Sequence, residues 1–406
     1  MRRLNIGLWM VLLVSMVSLA GCRPSPAGSG APQNLQASGT PPAAILPSAA
    51  VAATATMEPT ATQTPRPPTE TSTPTATVSF VGPDSFPDGI NPLTGMVVDD
   101  PDRLERRPVM IKVSNYPASL RPHSGLSYAD MVWEYFIGEG MTRFLALFYG
   151  QDAPQVGPVR SGRLIDPQLA RLYGGFLGMV SADLYVRMVI QQQLPGRVLS
   201  ERPSTCPALC RMGSGGVNSV FADTAAFTTY VREREMGDQR PDLTGMLFDA
   251  IPPADGSAAD DLHIFISFLD QVGWAYDSQR GAYLRSQEQL QSDGSVDLAP
   301  LTDRLTGEQL AFENVVLLFA WHDVIKPELV DIDIWYAEGV KALILRDGWI
   351  YEATYTAESK DAPLRFFDAA GDPFPFKPGA TWFHIVGMGS TMQDLGDGAW
   401  KLRFYP

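Results

Sequence analysis

Two guanidinium groups stand three residues apart in VGPVRSGR, residues 156–163, where Arg160 and Arg163 share a segment too rich in glycine and proline for a regular helix or strand. A guanidinium presents two parallel donors to a carboxylate or phosphate, with fixed charge and fixed geometry. On a stiff loop such a fork costs less to order around a ligand. Arg121 and Arg143 lie in nearby segments at the ends of strand-like runs, so the four arginines read as an anion-binding set. Asn115, Ser124 and Ser161 are placed to orient a bound anion, and Gly157 and Gly162 would let backbone amides approach it. The same motifs carry Asp130, Glu134, Glu139 and Asp183, which in a purely structural role would neutralise the arginines internally.

Asp130, Glu134 and Glu139 are also the candidates for acid–base chemistry on a glycan, which needs two carboxyl groups about 5–10 Å apart. Residues four apart on a strand face the same way at roughly 13 Å, too far without help from elsewhere. There is no G-x-S-x-G elbow, H-E-x-x-H motif, phosphate loop or dinucleotide fingerprint. His123, His263, His322 and His384 include no pair at metal-ligand spacing, so neither a metal nor another cofactor is expected. His322-Asp323, with Asp331 and Asp333 further on, reads as a solvated turn. Trp133, Tyr135, Trp274, Trp321 and Trp382 could stack on sugars, but strand alternation makes most of them core.

The elements that must position these residues are mostly short. RPVMIKVSN (107–115), ADMVWEYFI (129–137) and TRFLALFYG (142–150) read as strands, with a hairpin at Gly138-Glu139-Gly140. Asp166 followed by Pro167 marks a helix start, running through Tyr173. GFLGMVSAD resembles another buried strand, and 184–194 and 223–234 have helical spacing. HIFISF, FENVVLLFAWH, KALILRDGWIYEATY and TWFHIVG are strand-like, with a turn at Asp347-Gly348. The expectation is an α+β or α/β protein: a mixed-sheet N-terminal domain with helices, 88–251, and a mainly antiparallel β C-terminal domain, 260–406, divided at PPADGSAAD.

The chain opens with two arginines, an apolar run from Ile6 to Val17 and the motif Leu19-Ala20-Gly21-Cys22. This reads as a lipoprotein signal peptide, 1–21, with a lipobox and lipidation of Cys22; the apolar run is shorter than the roughly 20 residues of a membrane span. Residues 22–87 read as a disordered stalk, since Arg23–Asp84 holds 12 Pro and 11 Thr but five charged side chains. In an exported chain, Cys206 and Cys210 read as a disulfide. The formal charge of -14 argues against nucleic acid and against general attraction to anionic lipid heads. Any anion must therefore be held locally.

INPLTG (90–95), RPVMIKVSN, RPHSGLSYADMVWE (121–134), EGMTRF (139–144) and GPVRSGR together resemble the YerB-like bacterial lipoproteins, a family built on a domain of unknown function. WAYDSQRGAYLR and ENVVLLF resemble its C-terminal half. The resemblance implies a lipid-anchored, extracytoplasmic protein of the cell envelope and supplies no reaction. Three functions are consistent with the residues: a binding or accessory module for an anionic envelope ligand or partner protein, an enzyme on cell-wall glycan or lipid-linked precursors, or a structural scaffold.

Overall fold

The computed structural model describes residues 80–406 apart from Ser214 and Val217; the signal segment, Cys22 and most of the stretch read as a stalk lie outside them. In chain order the principal strands are β1 (Val109–Ser114), β2 (Met131–Gly138), β3 (Met141–Phe148), β4 (Phe176–Met179) and β5 (Val198–Ser200). There follow β6 (Asp261–Ser267), β7 (Asp270–Asp277), β8 (Ala282–Leu290), β9 (Asn314–Lys326) and β10 (Val340–Arg346). The last four are β11 (Trp349–Thr356), β12 (Thr381–Gly387), β13 (Thr391–Gly396) and β14 (Ala399–Arg403). The helices are α1 (Asp166–Leu172), α2 (Leu184–Gln193) and α3 (Thr224–Glu233).

A central sheet of 12 strands runs β11-β10-β9-β12-β2-β3-β1-β4-β5 along its main path, so it draws on both sides of the 252–260 segment. The join is the parallel insertion of β12 between β9 and β2, which sets His384 beside Glu134 and Phe383 beside Trp133. A second sheet of seven strands contains β8-β7-β6-β14-β13. Phe80 and Val81 pair with Asp249 and Phe248 in a third, three-stranded sheet, so packing begins before residue 88.

Strand alternation gives the central sheet two apolar faces. Along β2, Met131, Trp133, Tyr135 and Ile137 enter one core with Leu169 of α1 and Val186 and Ile190 of α2. Val132 joins the opposite core with Trp274 of β7, Tyr283 of β8 and Phe227 of α3. Helices α1 and α2 therefore cover one face, while the second sheet and α3 cover the other. Trp133, Trp274 and Trp382 are buried as expected of core residues, whereas Trp321 is 73% exposed.

The expected α+β or α/β class is overturned: among the described residues the protein is mostly β, 43% strand against 12% helical, with three α-helices. The helical spacings were real, but they produce helices of 7, 10 and 10 residues. Helices this short draw their stability from packing rather than propensity, and here they serve as covers on a sheet. Asp166 is the first residue of α1 rather than its cap, which is Ile165; the carboxylate that sequence alone assigned to capping is used elsewhere.

The hairpins stand where the turn residues put them. Asp347 (φ 54°) and Gly348 (φ 80°) join β10 to β11. Gly138 closes the β2–β3 turn at φ 99°, and a Cβ there would lie 1.7 Å from the Pro327 carbonyl oxygen of the arm extending from β9. Gly138→Ala should therefore destabilise the protein by about 2–4 kcal/mol through backbone strain and overlap. An unchanged thermal melting temperature for this variant would show that the arm does not bear on the turn.

Candidate functional site

The parity of β1, β2 and β3 sorts the polar side chains of the motifs onto opposite faces of the sheet. Lys112, Tyr135 and Arg143 share the face of α1 and α2; Glu134 and Thr142 share the face of the second sheet. Two separate clusters result.

On the helical face, the VGPVRSGR loop is pinned along its length. Ser114 N donates to Pro158 O (2.9 Å), Arg160 N to Lys112 O (2.9 Å), Val180 N to Arg160 O (3.1 Å) and Gly162 N to Ser181 O (2.8 Å). The loop is thus stitched between the ends of β1 and β4. Both glycine amides are consumed in doing so: Gly157 N donates to Ser124 O at 3.0 Å and Gly162 N to Ser181 O, while Arg163 N donates to Asp166 Oδ2 at 2.6 Å. The two glycines therefore permit close packing rather than amide contact with an anion, since a Cβ on Gly162 would meet Met179 Sδ at 2.7 Å and Ile190 Cδ1 at 2.8 Å.

The guanidinium groups are what the loop leaves over. Arg143 Nη1 donates to Ser161 O at 2.8 Å and Arg163 Nη1 to its neighbour Gly162 O at 3.0 Å. Among the described residues, Arg143, Arg160 and Arg163 form no ion pair, and the Nε atoms of Arg160 and Arg163 are buried without a partner. All three side chains are half-buried. Burial first, then the charges of Arg163 and Arg160, push the Arg143 guanidinium down to about 9. A guanidinium keeps its proton regardless, so burial and the neighbouring arginines burden the charged group, and Asp166 offsets this in part.

Beneath them sits a core that sequence reading missed. Lys112 Nζ lies 3.2 Å from Asp166 Oδ1 and contacts the Tyr135 hydroxyl, which donates to the same carboxylate oxygen; all three residues are fully buried. Burial pushes the Lys112 amine down to about 7, opposed by Asp166 and aided by Arg143 and Arg163. Asp166 thus faces Lys112, Arg143 and Arg163, with Asp183 as a second carboxylate near Arg163. The available signal was parity: Lys112 in β1 and Tyr135 in β2 alternate onto the face of Arg143.

Arg121 and Asn115 belong to the other cluster, and Ser124 to neither, its Oγ donating to Gln155 O at 2.9 Å. Arg121 Nη2 pairs with Glu288 Oε1 at 2.7 Å and contacts Asn115 Oδ1 at 3.2 Å. Glu134 Oε2 accepts from Trp382 Nε1 at 3.0 Å and lies 3.0 Å from Arg285 Nη2, which donates to Gln287 Oε1 at 2.6 Å, and 3.2 Å from His384 Nδ1. His384 Nε2 receives the Trp274 indole N–H at 2.9 Å, which places the ring proton on Nδ1 and leaves the imidazole neutral. Burial holds His384 well below its ordinary value, in agreement.

Thr142 Oγ1 lies 2.8 Å from Glu134 Oε1 and 2.7 Å from Asp270 Oδ2, and accepts from Asn115 Nδ2 at 2.9 Å. A hydroxyl has one proton to give. If it goes to Glu134, the short contact to Asp270 requires a protonated carboxyl. Burial first, then the charges of Glu134 and Glu288, push Asp270 up to about 7. With a folded-state value raised above the ordinary aspartate range, the stability Asp270 supports is present in acid and lost as pH climbs through about 7. Wild-type protein should lose more melting temperature between about pH 5 and 7 than Asp270→Asn. Parallel profiles would contradict this protonation.

The three candidate acids do not gather. Asp130 takes Tyr149 N (2.6 Å), Gly150 N (3.1 Å) and Asn91 Nδ2 (2.7 Å), tying INPLTG to the end of β3 beside a cleft of about 410 Å³. Burial pushes it up to about 6. Glu134 is locked between the sheets, and Glu139 is exposed in the hairpin turn at φ 53°. Cys206 and Cys210 are bonded to each other. His322 and Asp323 stand opposite Ile332 and Asp331 on the arm, and no group of three potential metal ligands occurs among the described residues.

A two-layered β architecture with both halves sharing one sheet is matched by two family descriptions in tandem. Residues 93–236 match the N-terminal domain, and 264–383 the C-terminal domain, of a protein of unknown function termed DUF3048. The chain belongs to that family. It is homologous to a protein described as "Putative lipoprotein YerB" of Bacillus subtilis (strain 168), at 29% identity over 312 residues, 73% of this chain and 85% of that protein. The crystal structure of Bacillus subtilis YerB shares the fold, with a TM-score of 0.58 and 24% identity over 73% of this chain and 96% of that one. The relationship thus supports a lipoprotein whose function is not defined by its relatives.

Proposed function

We propose that this protein is an envelope lipoprotein, held outside the membrane by lipid on Cys22, whose folded part binds an anionic ligand through Arg143, Arg160 and Arg163. The observation that carries the reading is that three half-buried guanidinium groups, on an otherwise acidic body, form no salt bridge among the described residues, with Asp166 and Asp183 only nearby. Unpaired buried charge is costly. A protein that retains it in a pinned loop has a use for the incoming counter-charge. Acid–base cleavage of glycan draws no comparable support, because Asp130, Glu134 and Glu139 occupy three unconnected settings.

Pyrophosphate serves as the probe. At a hundredfold excess over its dissociation constant it should stabilise the native protein by about 2.7 kcal/mol, a rise of several degrees in melting temperature. Arg160→Ala/Arg163→Ala should abolish the rise. No rise in the wild-type protein at low salt would sink the proposal.

A further inference from the structure

The arginine loop is hydrogen-bonded at Ser181 to the segment that opens α2, and that helix presents an unusual outer face. Leu184, Tyr185 and Met188 are 61%, 50% and 53% exposed, while Val186 and Ile190 hold the inner face in the core. Leu184 and Met188, four apart, lie one above the other on the same side of the helix. At the join, Asp183 is a neighbour of Arg163 whose side chain is committed to the helix, accepting from Tyr185 N at 3.0 Å. Fixed positive charge therefore adjoins a stripe of solvent-facing apolar side chains.

We infer that the ligand of this site is a single amphipathic lipid with a phosphate or diphosphate headgroup, the headgroup on Arg143, Arg160 and Arg163 and the first part of its hydrocarbon chain along Leu184, Tyr185 and Met188. The inference rests on the anion-binding reading above. Charge selects the headgroup: Arg143, Arg163 and Lys112 feel Asp166, Arg163 also feels Asp183, and Arg160 adds a further positive charge beside Arg143, an excess that a diphosphate matches better than a ligand with a single carboxylate. Charge also selects a single molecule over a membrane surface, because the chain carries a formal -14 and is repelled by an anionic bilayer as a whole.

Farnesyl diphosphate below its micellar concentration, pyrophosphate and farnesol are the probes, measured by calorimetry on the wild-type protein and two variants. The wild-type protein should bind farnesyl diphosphate about tenfold or more tightly than pyrophosphate, from apolar burial along α2, and farnesol weakly. Leu184→Ser/Met188→Ser should bring farnesyl diphosphate to the level of pyrophosphate without altering pyrophosphate binding. Arg160→Ala/Arg163→Ala should lose both. Equal affinity for the two phosphates in the wild-type protein, with both lost in the arginine variant, overturns the lipid inference and leaves anion binding standing. Absence of binding by either phosphate removes both. Farnesol binding as tightly as its diphosphate, or stronger capture by anionic phospholipid vesicles than by farnesyl diphosphate, also overturns it.

Discussion

Replacing Glu134 with alanine lowers the unfolding free energy by about 3–5 kcal/mol and the melting temperature by roughly 10 °C. Three groups converge on this carboxylate: Trp382 donates its indole N–H to Oε2, and Arg285 Nη2, which also donates to Gln287 Oε1, and His384 Nδ1 lie 3.0 and 3.2 Å from the same oxygen. Arg285 is fully buried, with Nε and Nη1 already unpartnered and its guanidinium 4.2 Å from the centre of the Trp382 ring. Taking away Glu134 strands that charge between the sheets. Removing both ions together is a different matter, since apolar replacements of similar volume cost neither desolvation nor pairing. Glu134→Leu/Arg285→Met should therefore recover much of the loss, and a strictly additive double variant would show that the two residues do not act as a pair. Glu134→Gln, which keeps the shape, should be milder than Glu134→Ala.

That network also shows what sequence could and could not convey. The strands around Trp133, Phe144 and Leu317 were legible because alternation and β-branching act locally, and the turns at Gly138-Glu139-Gly140 and Asp347-Gly348 follow from backbone conformations open to few residues. The placement of β12 between β9 and β2 was not legible, because nothing local in TWFHIVG specifies a partner about 250 residues away in the chain. With it went the environment of His384: a core histidine was foreseen, its bonds to Trp274 and Glu134 were not. The fold class escapes the sequence for a related reason, as helical spacing at 184–194 and 223–234 reveals the existence of helices but not their subordinate share of the packing.

The arginines divide in the same way. VGPVRSGR read as a stiff presenting loop, and the structure pins it through backbone bonds to Lys112, Val180 and Ser181. Arg121 lies in a neighbouring motif that sequence alone groups with the loop, yet its guanidinium pairs with Glu288 on the other face. Asp166 was credited to the helix start, a reasonable use of an acidic residue before proline, while its carboxylate in fact meets Lys112, Tyr135 and the Arg163 amide.

The second large effect concerns those arginines. Each charge-assisted hydrogen bond to an anion contributes about 1.5–3 kcal/mol, so Arg160→Ala/Arg163→Ala should weaken pyrophosphate binding by about a hundredfold or more. The same variant should not lose stability when free of ligand. Removing Arg160 and Arg163 relieves their burial and their like-charge contact with Arg143, and that of Arg163 with Lys112, against the loss of Arg163's attraction to Asp166 and Asp183. A ligand-free melting temperature equal to or above that of the wild-type protein is the expected result. A clear drop would instead make the arginines internal struts.

Calorimetric titration of pyrophosphate into the wild-type protein and Arg160→Ala/Arg163→Ala at low and moderate salt addresses the central claim most directly. The account predicts saturable binding to the wild-type protein that weakens with salt and disappears in the variant. Heat that is absent from the wild-type protein, or unchanged in the variant, would contradict it.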